Sequence, residues 1–383
     1  MHTCSHRQNA NLPTAVVEFV TERPGLDELR AVWRTAATAA GNAFITPEWF
    51  FAWLQVNAAA KPVVAVARRS GAIRGLLPLV LEDGTLRFAG ARFGDRFHPV
   101  LAEPSASDRS EVLSDLFRAV FESWSARTLG VLQRVDVDVV DLWRDVSRTA
   151  GLRASTHRYE VLPFIPVDGH SWPDYLRGIS RNLRSQATRR ESALSGRHAL
   201  EYICVREAAA VHAFLETFFD LHERRWATES TLASPLARAF HRQFATAAAE
   251  QGWLRGWLLA VDQVPVGSWY GWSIGGRYSY YQAGFDPTWS RYSPGTLLLL
   301  RTIHAAFEEG ASEYDLLLGD EAYKRKLASD ARQVATLVAA PGLSRRYALA
   351  AAEAFARDRL QRLPEGMSAA ARLAAKRLRA KLR

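Results

Sequence analysis

The chain has 383 residues, 48% of them hydrophobic and 23% charged, which excludes a disordered or fibrous protein and supplies apolar material for about two cores. Its formal net charge is +9, but from Leu343 onward eleven Lys and Arg stand against three acids, so the body is near neutral and a nucleic-acid groove across the whole fold is excluded. Two cysteines, Cys4 and Cys204, exclude a disulfide framework; with no signal-peptide core at the start and no run of about eighteen apolar residues, the sequence predicts a cytoplasmic protein that does not span a membrane.

Residues 1–15 read as a flexible start, whose alternating His2, Cys4 and His6 are taken as incidental rather than as a metal site. Residues 16–165 read as an α/β unit. Apolar spacing predicts helices at 29–40 and 47–57, strands at 63–67 and 76–81, a helix at 112–125, a strand at 135–140 and a helix at 141–150. A strand at 159–167 links the halves, with Pro163 and Pro166 marking the crossing.

The second half, 166–342, opens with a helix at 172–194 that would carry Arg177, Arg181 and Arg184 on one face, where they could bind phosphate or carboxylate. A strand at 199–205 and helices at 208–227 and 234–251 lead into three antiparallel strands, 254–261, 264–274 and 277–285. Asp262-Gln263 and Gly275-Gly276 supply the turns, and Pro287 ends the third strand because it has no N–H for the ladder.

Next comes a helix opening on Ser293-Pro294-Gly295-Thr296. Ser293 is the expected N-cap, Pro294 fits the first helical position, and Gly295 would let a ligand approach outward-pointing amides. A buried strand at 314–318 then ends in Gly319-Asp320-Glu321-Ala322-Tyr323-Lys324; strand, helix and parallel strand make a right-handed crossover, and ligands collect at the carboxyl ends of such strands. Asp320 reads equally as a base and as the cap of the next short helix. The tail, 343–383, holds two Ala/Arg-rich helical stretches broken at Pro364-Glu-Gly366. There is no Cys-x-x-Cys, His-Glu-x-x-His, phosphate-loop or dinucleotide motif, so metal and nicotinamide chemistry are not expected.

Taken together, Tyr281-Gln-Ala-Gly-Phe-Asp286, Ser293-Pro-Gly-Thr-Leu297 and Tyr314-Asp-Leu-Leu-Leu-Gly-Asp-Glu-Ala-Tyr-Lys324 resemble the CelD/BcsL-type branch of the GNAT acetyltransferases, a branch related to the Fem-type aminoacyltransferases. Ser180-Arg-Asn-Leu-Arg184, His222-Glu-Arg-Arg-Trp226 and Phe44-Ile-Thr-Pro-Glu-Trp49 look like its basic helix, its Arg-Trp helix and its amino-terminal marker. The resemblance implies a tandem GNAT-like α/β fold whose first half lacks the cofactor site. It implies acetyl-CoA or another acyl-CoA as donor, without a metal, held along Tyr281, Ala283, Gly284 and Phe285 and at Ser293, Gly295 and Thr296. It also implies an oxyanion donor among the amides of 281–285, Asp320, Tyr323 and Lys324 as catalytic groups, and Arg181, Arg184, His222, Trp226, Gln282, Asp286 and Glu321 as contacts to the acceptor.

The expected acceptor is an amine or amino sugar, in keeping with the branch's association with exopolysaccharide or cellulose biosynthesis. Two other readings remain open. An aminoacyl-tRNA could be the donor, or a GNAT fold could serve binding alone, since the loop 291–296 lacks the usual Gln/Arg-x-x-Gly-x-Gly/Ala spacing of acetyl-CoA binders. The basic tail offers a contact to an acidic partner or to the inner face of the membrane.

Overall fold

The computed structural model describes residues 15–102, 106–123, 128–227 and 230–361. In the first half, β1 (Val16–Val20) is followed by α1 (Arg23–Ala39), α2 (Pro47–Val56), β2 (Lys61–Arg69), β3 (Ala72–Glu82), β4 (Thr85–Phe88) and β5 (Val100–Leu101). Then come α3 (Ala106–Ser123), β6 (Leu129–Asp136), α4 (Val137–Thr149) and the long β7 (Arg153–Pro166). The second half continues with α5 (Trp172–Gly178), α6 (Arg181–Ser195), β8 (Leu200–Val205), α7 (Val211–Trp226), α8 (Pro235–Glu250), β9 (Leu254–Val261), β10 (Val264–Ile274) and β11 (Arg277–Phe285). A 3-10 turn at Pro287–Tyr292 leads to α9 (Pro294–Glu308), β12 (Glu313–Asp315), α10 (Ala322–Arg325), β13 (Asp330–Ala340) and α11 (Arg345–Gln361).

The strands form one mixed sheet in the order β1-β2-β3-β4-β6-β13-β7-β12-β11-β10-β9-β8, with β5 on β3. The chain's last strand, β13, returns to lie between β6 and β7 of the first half, while β7 carries β12 on its other edge. The sheet therefore runs unbroken through both halves. One apolar cluster joins the first half to α7, α8 and one face of β10 and β11; a second lies on the other face, beneath α5, α6 and α9. Side chains alternate across a strand, so Tyr270 and Trp272 enter the first cluster and Trp257 and Trp269 the second.

The motif Phe44 to Trp49 cements the halves. Thr46 caps α2 by accepting from the Trp49 amide at 3.2 Å, the Trp49 indole donates to the Ala89 carbonyl at 3.0 Å, and the Trp49 ring sits edge-on to Phe240 of α8. Phe44 meets Trp272 edge-on at 5.5 Å.

Several sequence expectations need correction. The expected helix 172–194 is two helices, because Ile179 is extended and buried after Gly178, and the Ser180 hydroxyl caps α6 by accepting from the Leu183 amide. Arg177 therefore does not share a helix with Arg181 and Arg184, and it pairs with Asp174 instead. The expected strand 135–140 ends at Asp136: Val139, Val140, Trp143 and Val146 recur at helical spacing and are buried as one face of α4, which overrides the local alternation. The strand expected at 314–318 keeps regular pairing only over Glu313–Asp315, because Leu317 takes φ 53°. Of the tail, α11 matches the first helical stretch, and its Arg346 donates to the Asp83 carbonyl at 2.7 Å. The second stretch, like His2, Cys4 and His6, falls outside the described residues. Among the described residues no helix is long and apolar enough to cross a membrane.

Candidate active site

The site begins where two strands part. β11 runs parallel to β12 through the pairs Arg277–Glu313, Tyr278–Tyr314 and Ser279–Asp315 and no further. Beyond Asp315 the chain stays with β7, the Leu316 amide donating to the Pro163 carbonyl at 3.0 Å and the Gly319 amide to the Val161 carbonyl at 3.1 Å. β11 instead follows β10, with one extra residue, Tyr281, inserted opposite Tyr270 and Gly271. Such a bulge bends and twists its strand. The result is a wedge-shaped gap between 280–285 and 316–319.

The bulge also decides what faces the gap. Tyr280 lies on the α9 side, stacked on Trp269. Tyr281 lies on the opposite side, where its hydroxyl donates to the Phe93 carbonyl at 2.9 Å and meets His241 at 3.2 Å. Its side chain is thus core rather than a lining of the gap. The Asp286 amide donates to the Val266 carbonyl of β10, so by the alternation of an antiparallel ladder the amides of Ala283 and Phe285 turn toward the gap. Of the amides within 281–285 where an oxyanion donor was expected, those of Ala283 and Phe285 therefore face the gap.

The end of α7 is tied down against this stretch. The His222 ring donates from Nε2 to Gln282 Oε1 at 3.3 Å and accepts at Nδ1 from the Ser230 hydroxyl at 3.0 Å. Burial to 2% exposure pushes the His222 pKa down to about 4, so it is a neutral orienting group. The Trp226 indole donates to the Ala283 carbonyl at 3.2 Å. Gly284 is where the α7 backbone passes: a Cβ there would lie 2.3 Å from the His222 nitrogen. Asp286 is committed inside the protein, one oxygen accepting from Thr288 and the other from Arg224 at 3.2 Å, and these partners hold its carboxyl below the usual carboxylate range.

At the head of the gap the start of α9 differs from expectation. Ser293 is left-handed, φ 52°, and its side chain does not cap the helix. The Thr296 amide is already taken by the Ser293 carbonyl at 2.9 Å, and Pro294 has none. Gly295 alone presents an amide without a partner among the described residues, with the Ser293 and Thr296 side chains beside it. Phe285 lies next to Gly295: a Cβ on Gly295 would sit 3.5 Å from Phe285 Cδ1, an ordinary contact, so protein packing does not require a glycine here. Arg225, which the sequence did not single out, lies 4.8 Å over the Phe285 ring and 4.8 Å over the Trp226 ring. It supplies a cation beside the entrance.

The other wall holds the titratable groups. Gly319, φ 128°, makes room for the Glu321 carboxylate, whose oxygen would lie 2.3 Å from any Cβ at 319. Glu321 faces Tyr280 and Tyr323, and its Oε2 lies 3.3 Å from Lys324 Nζ. Burial pushes the Tyr280 and Tyr323 phenols up, so both remain protonated. Lys324 is only 4% exposed and donates from Nζ to the Leu318 carbonyl at 2.6 Å, near the buried Asp95. Asp95 accepts from the Leu318 amide and lies 3.5 Å from Arg134, so Asp95 ties the gap's wall to the first half. Asp320, by contrast, points into solvent and pairs with Arg325 at 2.8 Å; Glu321, not Asp320, occupies the cap position of α10.

The structure thus brings together Gln282, Ala283, Phe285, Gly295, Glu321, Tyr323 and Tyr280. Tyr280 was visible in the sequence only as one ring in an aromatic strand. Asp320 stands apart from them, and Arg181 and Arg184 lie on α6, lining an open groove of about 440 Å³ with Ser185, Thr188 and Arg189.

Residues 181–325 match the family described as the acetyltransferase (GNAT) domain. The chain carries a GNAT acetyltransferase domain. It is an acyltransferase, and its GNAT domain begins at α6 and ends at α10. No curated protein matches the sequence. Among solved structures, FemX is similar at 11% identity and a TM-score of 0.59, over 83% of this chain and 96% of that one. The C-terminal domain of a protein assigned as a lysylphosphatidylglycerol synthetase from Agrobacterium fabrum is similar at 12% identity and 0.56, over 85% and 96%. L-PGS from Bacillus licheniformis is similar at 11% identity and 0.53, over 88% and 98%. At such identities the likeness is one of fold, and it extends over both halves of the sheet.

Proposed function

We propose that the chain transfers an acetyl or other acyl group from acyl-CoA to an amino group of a sugar or related metabolite. The observation that carries this reading is the parting of β11 from 316–319, with the Gly295 amide at the head of the gap and Glu321, Tyr280 and Tyr323 within it. The pantetheine arm lies along β11, its phosphate held by the Gly295 amide and Arg225, and the thioester carbonyl accepts a hydrogen bond from the Ala283 amide. The acceptor's ammonium gives a proton to Glu321, the free amine attacks the carbonyl, and the tetrahedral oxyanion is held at Ala283. Collapse expels the thiolate, which takes a proton from the Tyr323–Tyr280 pair, and the pair regains a proton from the nitrogen as the amide forms. His222 and Gln282 orient this stretch from behind.

On this reading residues 16–165 form a half without a donor site, and 343–383 a basic tail that contacts an anionic partner or membrane face. The resemblance to the CelD/BcsL-type branch supports an amino-sugar acceptor in polysaccharide or cell-envelope biosynthesis. Thiol release from acetyl-CoA across a panel of amino sugars tests the reading, together with calorimetric titration of acetyl-CoA and CoA; no binding of either would end it. The likeness to FemX supports a second reading, in which the donor is an aminoacyl-tRNA. A salt-dependent gel shift with charged tRNA, in the absence of any CoA binding, would favour it.

A further inference from the structure

The basic face of α6 has no role in the chemistry above. Arg181, Arg184 and Arg189 project from it with Ser185 and Thr188, and Arg190 and Arg197 follow nearby. None of these five arginines makes an ion pair among the described residues, and the Nε of Arg184 is buried without a partner. The helix's acid, Glu191, is occupied by the Tyr202 hydroxyl at 2.8 Å. Arg177 pairs with Asp174, Arg301 with Glu308, and Arg206 shares Glu309 with Arg255, while Arg291, in the 3-10 turn that meets α6, makes no ion pair among the described residues. A patch of unbalanced positive charge remains. From Arg181 to Arg189 it runs about 12 Å along one helix face.

Its position matters. The buried face of α6, Leu183, Ala187 and Leu194, packs in one cluster with Trp289, Tyr292 and Leu297, the residues that lead into and begin α9. The arginine face is thus displayed in the same layer as the entrance at Gly295. That entrance is poorly equipped for a molecule with several phosphates: it offers the Gly295 amide and Arg225, since Pro294 has no amide and Thr296 has spent its own. Coenzyme A carries a diphosphate and a further 3′-phosphate. The same phosphopantetheine thioester on a carrier protein carries a single phosphodiester, and the carrier's acidic helix supplies the remaining anionic surface.

We infer that the α6 face docks an acidic acyl carrier protein, and that the gap receives its acyl-phosphopantetheine arm in preference to free acyl-CoA. This inference rests on the thioester reading of the gap. The match is one of charge: a helix-long stripe of unpaired arginines opposite a helix-long acidic surface, with one phosphate site where the arm enters. A nucleic acid would need a wider footprint than one helix.

The test measures binding of holo-acyl carrier protein, apo carrier without its arm, and CoA, at low and high salt, to the wild-type chain and to Ser185→Glu/Arg189→Glu. Both changed residues are exposed on the groove and outside the gap. The expected result is that holo-carrier binds about tenfold or more tightly than CoA at low salt, loses that advantage at high salt, and is weakened about tenfold in the double variant while CoA is unaffected. The proposal is overturned if CoA binds better than holo-carrier, or if the variant weakens both ligands alike or neither. Binding of neither CoA nor holo-carrier would instead defeat the thioester reading itself.

Discussion

Gly295 separates a packing role from a ligand role more cleanly than any other position. In Gly295→Ala the new methyl meets Phe285 at 3.5 and 3.7 Å, ordinary contact distances, and the glycine's φ is not left-handed. Alanine in a helix is favoured over glycine by up to about 1 kcal/mol, so the melting temperature should hold or rise slightly. The methyl nevertheless stands beside the α9 amide that has no partner among the described residues, where it crowds a phosphate bound there. Losing a charge-assisted hydrogen bond costs about 1.5–3 kcal/mol, and 1.4 kcal/mol is a factor of ten, so donor affinity should fall roughly ten- to a hundredfold. Gly284→Ala is the contrast: its Cβ would lie 2.3–2.5 Å from backbone atoms of Leu221 and His222, which cannot rotate away. That variant should lose about 1–3 kcal/mol or more as α7 is pushed off β11. Thermal melting and titration of CoA and acetyl-CoA read both effects. A Gly295→Ala protein that binds donor as tightly as wild type would refute the assignment of the α9 start as the phosphate site.

Glu321→Gln should lower turnover about a hundredfold with the melting temperature unchanged, whereas Asp320→Asn should leave steady-state rates intact, since Asp320 pairs with Arg325 in solvent. Tyr323→Phe should lower kcat about tenfold or more while leaving donor affinity nearly unchanged, because the ring keeps its place and only the proton-donating hydroxyl is lost. Lys324→Ala should be destabilising by about 3 kcal/mol, since it strands the Leu318 carbonyl and leaves the buried Asp95 one cation short; chemical denaturation reads this. Burial holds His222 neutral down to about 4 against 6.5 in the unfolded chain, so between those values the unfolded chain binds a proton that the folded one does not. Stability should therefore fall as pH drops from 6.5 to 4, by up to about 3 kcal/mol from this residue, and His222→Gln should flatten that slope in melts across the window.

Strands β9 to β11 and the helix after them could be read from the sequence because alternation, paired turns and a proline stop all agree over 254–308. The site's finer chemistry could not. Whether Ser293 caps a helix depends on one backbone angle, and a left-handed φ at a serine leaves no trace in residue type. The break at Ile179 was hidden because 172–194 is continuously helix-compatible, and only burial of Ile179 beneath the second cluster sets the turn. Asp320 and Glu321 are neighbours in sequence, and the choice between them is made by Gly319, whose missing side chain lets the Glu321 carboxylate fold back toward the phenols. Lys324 reads as a solvated lysine, yet it is buried on the Leu318 carbonyl in a segment that Asp95, more than two hundred residues away, holds through the Leu318 amide. Long-range partners of this kind have no local signature.

The parting of β11 from 316–319 is tested most directly by a crystal structure with a non-hydrolysable thioether analogue of acetyl-CoA. The pantetheine arm is predicted to lie along β11 with its phosphate on the Gly295 amide, its sulfur beside Tyr280, Tyr323 and Glu321, and the carbonyl on the Ala283 amide. Density for the analogue elsewhere on the protein, with that gap closed by side chains, would contradict it.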